Sequence, residues 1–269
     1  MNYSSEFRKL HTGKYPLILP NIWDAGSARI FENMGAKAVA TSSAGVSWAM
    51  GYADGNSMPV ELMTELTKRI VRVVRIPLSV DMEEGYSTDP NIVAENVVAI
   101  ARAGAVGINI EDGAGEPAML GQKLNRIRAS LEREGIDLFI NVRTDVYLQN
   151  LVPAERALAE TLRRAALYKE AGADGIFIPG IRVADEIRTL VNESEMPVNV
   201  MAWPGLAPAK ELAILGVKRI SAGSAIPQVL WQHASILAGR YLRDGDSEAI
   251  YDGAMAYPDL QELFANRPW

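Results

Sequence analysis

Cysteine is absent from the 269 residues. Its absence excludes disulfides, thiolate zinc sites, iron–sulfur clusters and a cysteine nucleophile. Histidine is nearly absent: only His11 and His233 occur, which leaves little room for a histidine-rich metal site or a His–carboxylate catalytic pair. No run reaches the roughly 18 consecutive apolar residues that a membrane-spanning helix needs. The first residues, MNYSSEFRKLHTGKYP, contain neither an apolar stretch nor a basic leader, so a soluble cytoplasmic protein is expected. Nor is there an excess of positive charge. Lys plus Arg number 27 against 33 Asp plus Glu, a net charge of -6, which disfavours nucleic acid and anionic membrane as partners. A small basic pocket for an anionic substrate is still compatible with that balance. Chemistry in such a chain falls to carboxylates, hydroxyls, arginine, backbone amides and a hard metal.

What is present is ordinary globular composition, 48% apolar and 22% charged, and a repeated phrase. Met34-Gly35-Ala36-Lys37-Ala38-Val39-Ala40 is echoed by Ala103-Gly104-Ala105-Val106-Gly107-Ile108-Asn109 and by Ala171-Gly172-Ala173-Asp174-Gly175-Ile176-Phe177. Leu215-Gly216-Val217-Lys218-Arg219-Ile220-Ser221 is a looser echo. Each reads as a helix stopped by glycine and followed by a short apolar strand. Amphipathic helices are predicted over Asn91 to Arg102, Pro153 to Ala171 and Ala207 to Leu215. With the apolar runs at 17–19, 78–80, 138–142 and 198–201, strands fall near residues 18, 39, 79, 108, 140, 177, 199 and 220. Eight such strands alternating with helices predict an α/β fold, a (β/α)8 TIM barrel. The doubly wound alternative lacks its G-x-G-x-x-G after the first strand. One domain is expected over 1–269. Residues 224–269 would form a helical tail, with a helix over Pro227 to Leu242 and a further segment from Ser247 to Ala265 ending at Trp269. Its aromatic residues fit packing against another subunit.

Active sites of such barrels lie at the C-terminal strand ends. The polar residues there are Asn21, Trp23 and Asp24; Thr41, Ser42, Ser43 and Gly45, with Asp54 further on; Asp81, Glu83 and Glu84; Asn109, Glu111 and Asp112; and Asn141, Arg143, Thr144 and Asp145. The last three strands end in Pro179-Gly180, Met201-Ala202 and Ser221-Ala222-Gly223, nearly apolar. Several carboxylates around one pocket need a counter-charge, and Arg143 is the one cation in the set. Oxygen ligands without His or Cys favour Mg²⁺ or Mn²⁺ over zinc. The Thr41-Ser42-Ser43-Ala44-Gly45 turn offers hydroxyls and amides to a carboxylate or phosphate, and Arg143 offers a fork for a second anionic group. Blander readings stand beside these. Asp24 is a candidate helix cap, Glu111-Asp112 a helix start, Arg143 a partner of Asp145 or Asp112, and His233 a structural residue.

At these residues the sequence resembles the isocitrate lyase/phosphoenolpyruvate mutase superfamily, from Leu19 to about Gly223. The resemblance is carried by Pro20-Asn21-Ile22-Trp23-Asp24-Ala25, Thr41-Ser42-Ser43, Ser79-Val80-Asp81-Met82-Glu83-Glu84-Gly85-Tyr86, Asn109-Ile110-Glu111-Asp112 and Asn141-Val142-Arg143-Thr144-Asp145. It implies a homotetramer with C-terminal helices swapped between subunits, and a Mg²⁺ site that holds a 2-oxo acid or its enolate. By position it implies metal roles for Asp81, Glu83, Glu111 and Asp54, and substrate contacts from Ser42, Ser43, Ala44, Trp23, Asp81 and Arg143. Glu83 stands where many members carry Asp.

The departures narrow the activity. The loop Gly113 to Leu124 lacks the Lys-Lys/Arg-Cys-Gly-His signature of the lyase branch, and Pro179-Gly180 replaces the histidine of the phosphonate branches. What remains is a metal–enolate half-site. The expectation is a Mg-dependent lyase that decarboxylates a 2-oxo acid such as oxaloacetate, with Glu111, Arg143 and Tyr86 as catalytic residues. Ser47, Lys123 and Gln122 are further proton donors to consider. The alternatives are a phosphonopyruvate hydrolase or phosphoenolpyruvate mutase, and a non-catalytic 2-oxo acid binding protein.

Overall fold

In the computed structural model, which describes residues 2–265, the chain opens with α1 (Tyr3–Leu10) and then runs through β1 (Leu17–Leu19), β2 (Asn21–Ile22), α2 (Ala25–Asn33), β3 (Val39–Thr41), α3 (Ser43–Ala49), α4 (Val60–Val73), β4 (Leu78–Asp81), α5 (Pro90–Arg102) and β5 (Gly107–Glu111). It continues with α6 (Pro117–Glu134), β6 (Phe139–Arg143), α7 (Ala154–Glu170), β7 (Gly175–Ile178), α8 (Ala184–Glu193), β8 (Val198–Met201), α9 (Ala209–Leu215) and β9 (Arg219–Ser221). All eight expected strand positions are occupied. The helices stop where the echoes place glycine, and Gly35, Gly104, Gly172 and Gly216 all have positive φ.

Every strand pair is parallel, in the order β1-β9-β8-β7-β6-β5-β4-β3-β2. The two ends of that order are consecutive in the chain. Leu17–Leu19 pairs with β9, and Asn21–Ile22 pairs with β3. Pro20 separates them, because it has no N–H to give to a ladder. β1 and β2 are therefore two halves of one barrel strand, and the sheet closes on itself as a TIM-type barrel.

Period-two alternation sorts the side chains. Ile108, Ile110, Ile140 and Val142 join the main apolar layer between sheet and helices. The alternate residues of β5 and β6 face inward. Asn141 donates to the Asn109 side chain at 2.9 Å, and Arg143 pairs with Glu111 at 2.7 Å. The N-terminal end is plugged by α1, whose Phe7 packs with Leu17, Leu19, Ala38, Ala40 and Phe139. His11 stacks on Phe139, with ring centroids 4.3 Å apart.

After β9 come α10 (Ala225–Asp244), α11 (Glu248–Tyr251) and α12 (Tyr257–Ala265). The segment from Ser247 to Ala265 is thus two helices, broken around Gly253, whose φ is +73°. Trp269 lies outside the described residues. α12 lies on α2, where Arg29 Nε donates to the Leu263 carbonyl at 3.0 Å. Most of α10 is exposed, including Val229, Leu230, Trp231, Ile236 and Leu242. Among the described residues no helix is long and apolar enough to cross a membrane.

Candidate active site

A cavity of about 250 Å³ opens at the C-terminal ends of the strands. Its polar side is formed by Asn21, Ser42, Ser43, Ala44, Asp54, Asp81, Asn109 and Arg143, with Ser221 and Ser224; its apolar side is Leu148, Phe177, Met201 and Trp203. A larger groove of about 810 Å³ lies away from this mouth, between α1, β1 and the end of α2.

Ser42 both lines the cavity and starts α3, its Oγ accepting from the Gly45 N–H at 3.3 Å. Asp81 ends β4 with its own N–H donated to Thr41 Oγ1 at 2.7 Å. Burial pushes the Asp81 carboxyl above its ordinary range, while Arg143 and the backbone N–H groups of Glu83 and Ser43 work against that shift. The following turn is strained. Glu83 and Tyr86 have φ of +50° and +60°, a region that costs a non-glycine residue of order 1 kcal/mol or more. Glu83 is buried, one oxygen accepts from the Asn56 N–H, and the other has no partner. Burial and the neighbouring Asp81 raise the Glu83 carboxyl as well. The Tyr86 hydroxyl is buried beside Glu83 without a well-formed hydrogen bond.

Arg143 is committed on all sides. It meets Glu111 at 2.7 Å and forks onto Asp145 at 2.6 and 2.9 Å. Burial raises the Glu111 carboxyl, and Arg143 opposes that shift. Asp112 is structural. Its carboxylate accepts from Thr144 Oγ1, Arg164 Nη1, the Tyr168 hydroxyl and the Asp145 N–H, at 2.6 to 3.0 Å. That network holds the strand exit carrying Arg143.

The expected residues divide accordingly. Ser42, Ser43, Ala44, Asp54, Asp81 and Arg143 line the cavity; Glu83 and Glu111 are outside the lining, Glu83 donating its N–H to Asp81 at 3.2 Å and Glu111 pairing with Arg143 at 2.7 Å. Trp23 does not line it; its ring packs edge-on to Phe31, with centroids 6.1 Å apart. Tyr86 is also outside the lining. Asp24 caps α2 in a reciprocal box with Ser27. Lys123 donates to the Glu84 carbonyl at 2.7 Å, and Ser47 is a buried residue of α3. His233 is exposed on α10. Met201 and Trp203, which the sequence offers as core or pocket wall, are wall; Leu148, Phe177 and Arg219 were passed over. For Arg219 a signal existed: on a three-residue strand it shares the inward face with Ser221.

Among the described residues no three acidic or histidine side chains converge closely enough to cage an ion. A Mg²⁺ that keeps several waters and takes one or two carboxylates asks for less. The oxygen-only donors, the desolvated Asp81 and the unpartnered buried oxygen of Glu83 fit such an ion.

An uncharacterized protein of Mycobacterium tuberculosis is 34% identical over 95% of this chain and 94% of its own length. Oxaloacetate decarboxylase 1 of Pseudomonas fluorescens is 28% identical over 79% of this chain and 75% of its own. A solved protein of Burkholderia cenocepacia J2315, provisionally assigned as a phosphonomutase, is 42% identical with a TM-score of 0.84, over 89% of this chain and 100% of that one. The family model described as phosphoenolpyruvate phosphomutase matches residues 7–240, and the chain belongs to that family.

Proposed function

We propose that the protein is a magnesium-dependent carbon–carbon lyase that decarboxylates a small 2-oxo acid of the oxaloacetate type. The observation that carries this reading is the division of the cavity into a polar side and an apolar side. Bound magnesium would supply positive charge to the 2-oxo group and to the enolate that develops as the bond breaks. The Ser42-Ser43-Ala44 turn receives the carboxylate next to the 2-oxo group. The carboxylate that leaves faces Leu148, Phe177, Met201 and Trp203. It loses its charge on becoming CO2, so a wall with no cation disfavours the starting carboxylate relative to the neutral product. Arg143, held by Glu111 and Asp145, fixes the edge of the polar side. Of the proton donors considered from sequence, Tyr86, Ser47, Lys123 and Gln122 all stand outside the cavity lining. The enolate is then protonated by water entering the mouth.

The test is turnover of oxaloacetate to pyruvate and CO2 with Mg²⁺ or Mn²⁺ and with chelator. Metal-dependent turnover supports the reading. Turnover of phosphonopyruvate or phosphoenolpyruvate instead would replace it with P–C bond chemistry, which the 42% identical phosphonomutase-like relative makes the first alternative. Stoichiometric oxalate binding without turnover of any of these would identify a binding protein.

We also propose that the working form is a homotetramer, a dimer of dimers. The exposed apolar residues of α10 and the open groove beside β1, where Ile18 and Met34 are exposed, are two uncovered surfaces of one chain. A helix from another copy would cover both. Light scattering on the protein and on Trp231→Glu checks it; a monomeric wild type would refute the assembly.

A further inference from the structure

A fully charged side chain lies under the floor of the cavity, and nothing in the proposed chemistry uses it. Arg219 enters the barrel from β9 and has 0% exposure. Its guanidinium meets neutral partners: Nε donates to Ser221 Oγ at 3.2 Å, Nη2 donates to Asn109 Oδ1 at 3.3 Å, and Nη1 has no partner. No carboxylate forms an ion pair with it among the described residues; Asp81 acts on it only at a distance, opposing the effect of burial. Both partners, Ser221 and Asn109, line the cavity. They are fixed in turn: Asn109 accepts from Asn141 at 2.9 Å, and Asn199 donates to Ser221 at 3.1 Å. The guanidinium is thus one side chain below the cavity, screened from solvent by the α1 plug.

Such an arrangement is poor for stability. A buried charge without a counter-ion is expensive, and folding alone would favour a neutral residue there. In a dry interior the same charge acts over a longer distance than it would in water. Arg143 is neutralised by Glu111 and Asp145, so Arg219 is the cation beneath this mouth whose field is not cancelled by an ion pair.

We propose that Arg219 is a positioning residue for the anion in the cavity: it orients Asn109 and Ser221 as the cavity floor and supplies from below the positive potential that favours a doubly charged ligand, the enolate of the 2-oxo acid in the reading given above. It touches no substrate atom.

The test compares wild type, Arg219→Met, Arg219→Gln and Arg219→Lys in calorimetric titrations with oxalate and oxamate at saturating Mg²⁺. The two ligands share a shape and differ by one charge. Arg219→Met and Arg219→Gln are expected to weaken oxalate about tenfold and oxamate only two- to threefold, at an unchanged or higher Tm. Arg219→Lys should recover most of the oxalate affinity. Equal loss for both ligands with a lowered Tm, or no loss, overturns the proposal in favour of a packing role. If Met and Gln do not fold, Arg219→Lys decides alone: a lost preference for oxalate over oxamate in a folded Lys variant overturns it. The proposal rests on the 2-oxo acid reading, and the outcomes separate the two. Wild type binding neither ligand sinks that reading and this proposal with it; equal preference in wild type and a folded neutral variant sinks only the role of Arg219.

Discussion

The two ends of the barrel are built on opposite principles. At the N-terminal end Phe7, Phe139, Leu17 and Leu19 fill the opening, and His11 gives its Nδ1 to the Phe7 carbonyl at 2.8 Å. At the C-terminal end Asp81, Glu83 and Glu111 are desolvated together and Glu83 and Tyr86 hold strained backbone; a carboxylate oxygen of Glu83 and the Tyr86 hydroxyl are buried without partners there, against His11 Nε2 at the plug. One end lowers the free energy of the fold; the other spends stability on an arrangement ready for a ligand. Substitutions should therefore separate by end. Those at the mouth should change turnover at little cost in Tm, and those at the plug should do the reverse.

The largest effect is expected at Asp81. Asp81→Asn removes a buried charge and a candidate metal contact, and should lower oxaloacetate turnover by roughly 10²–10³-fold. Its Tm in chelator should hold or rise, because a desolvated carboxylate is gone. A lowered Tm with turnover intact would erase the distinction between the ends. Next comes Phe7→Ala, expected to cost about 3–5 kcal/mol in denaturant unfolding while leaving kcat near the wild-type value below the transition. Gly107→Ala probes the same contact, since a Cβ there would stand 2.5 Å from the Phe7 ring. A third test sharpens the division within the mouth. Met201→Lys places a cation on the apolar wall, where it would hold the leaving carboxylate in its charged form. KM for oxaloacetate should fall while kcat falls about tenfold or more; a raised kcat would show that the wall does not face the leaving group.

Much of this was legible in the sequence because it follows from period and composition. Glycine-ended helices and apolar strands set the barrel, and the polar residues that follow Ile22, Ala40, Val80, Ile110 and Val142 set the polar side of the mouth. What was not legible is competition between side chains. Arg143 reads both as a clamp for an anion and as a partner of Asp145, and only the structure shows that Asp145, two residues on, takes its fork. Tyr86 sits in a spacing that puts it near Asp81, yet a left-handed turn at Glu83 and Gly85 directs it behind Glu83. Trp23 belongs to a motif at a strand end, but the cap formed by Asp24 and Ser27 starts α2 so early that the indole packs on Phe31. The split at Pro20 was readable in principle, since proline cannot serve a ladder. Arg219 belongs to a repeated phrase whose other members are apolar at its place, which hid the one copy that carries a charge.

The smallest expected effect is also the one that tests both ends in a single measurement. Burial, with Arg219 adding to it, holds the His11 imidazole down at about 4 against an ordinary value of 6.5. The folded state prefers the neutral ring, so its contribution to stability is complete above 6.5 and is lost as pH falls toward 4. Asp81, Glu83 and Glu111 are shifted the other way, upward, with burial the leading cause. The folded state holds their protons more tightly than the unfolded chain, so their contribution is present at acid pH and is lost as pH rises through the carboxylate range and above. Magnesium competes with those protons and should remove the loss on the alkaline side only. Tm measured from pH 4.5 to 8 should therefore fall at both extremes in chelator, and at the acid extreme alone with Mg²⁺. His11→Phe should flatten the acid limb in either condition and leave the alkaline limb unchanged. An acid limb that survives His11→Phe, or an alkaline limb indifferent to Mg²⁺, would mean that the two ends do not titrate as separate units.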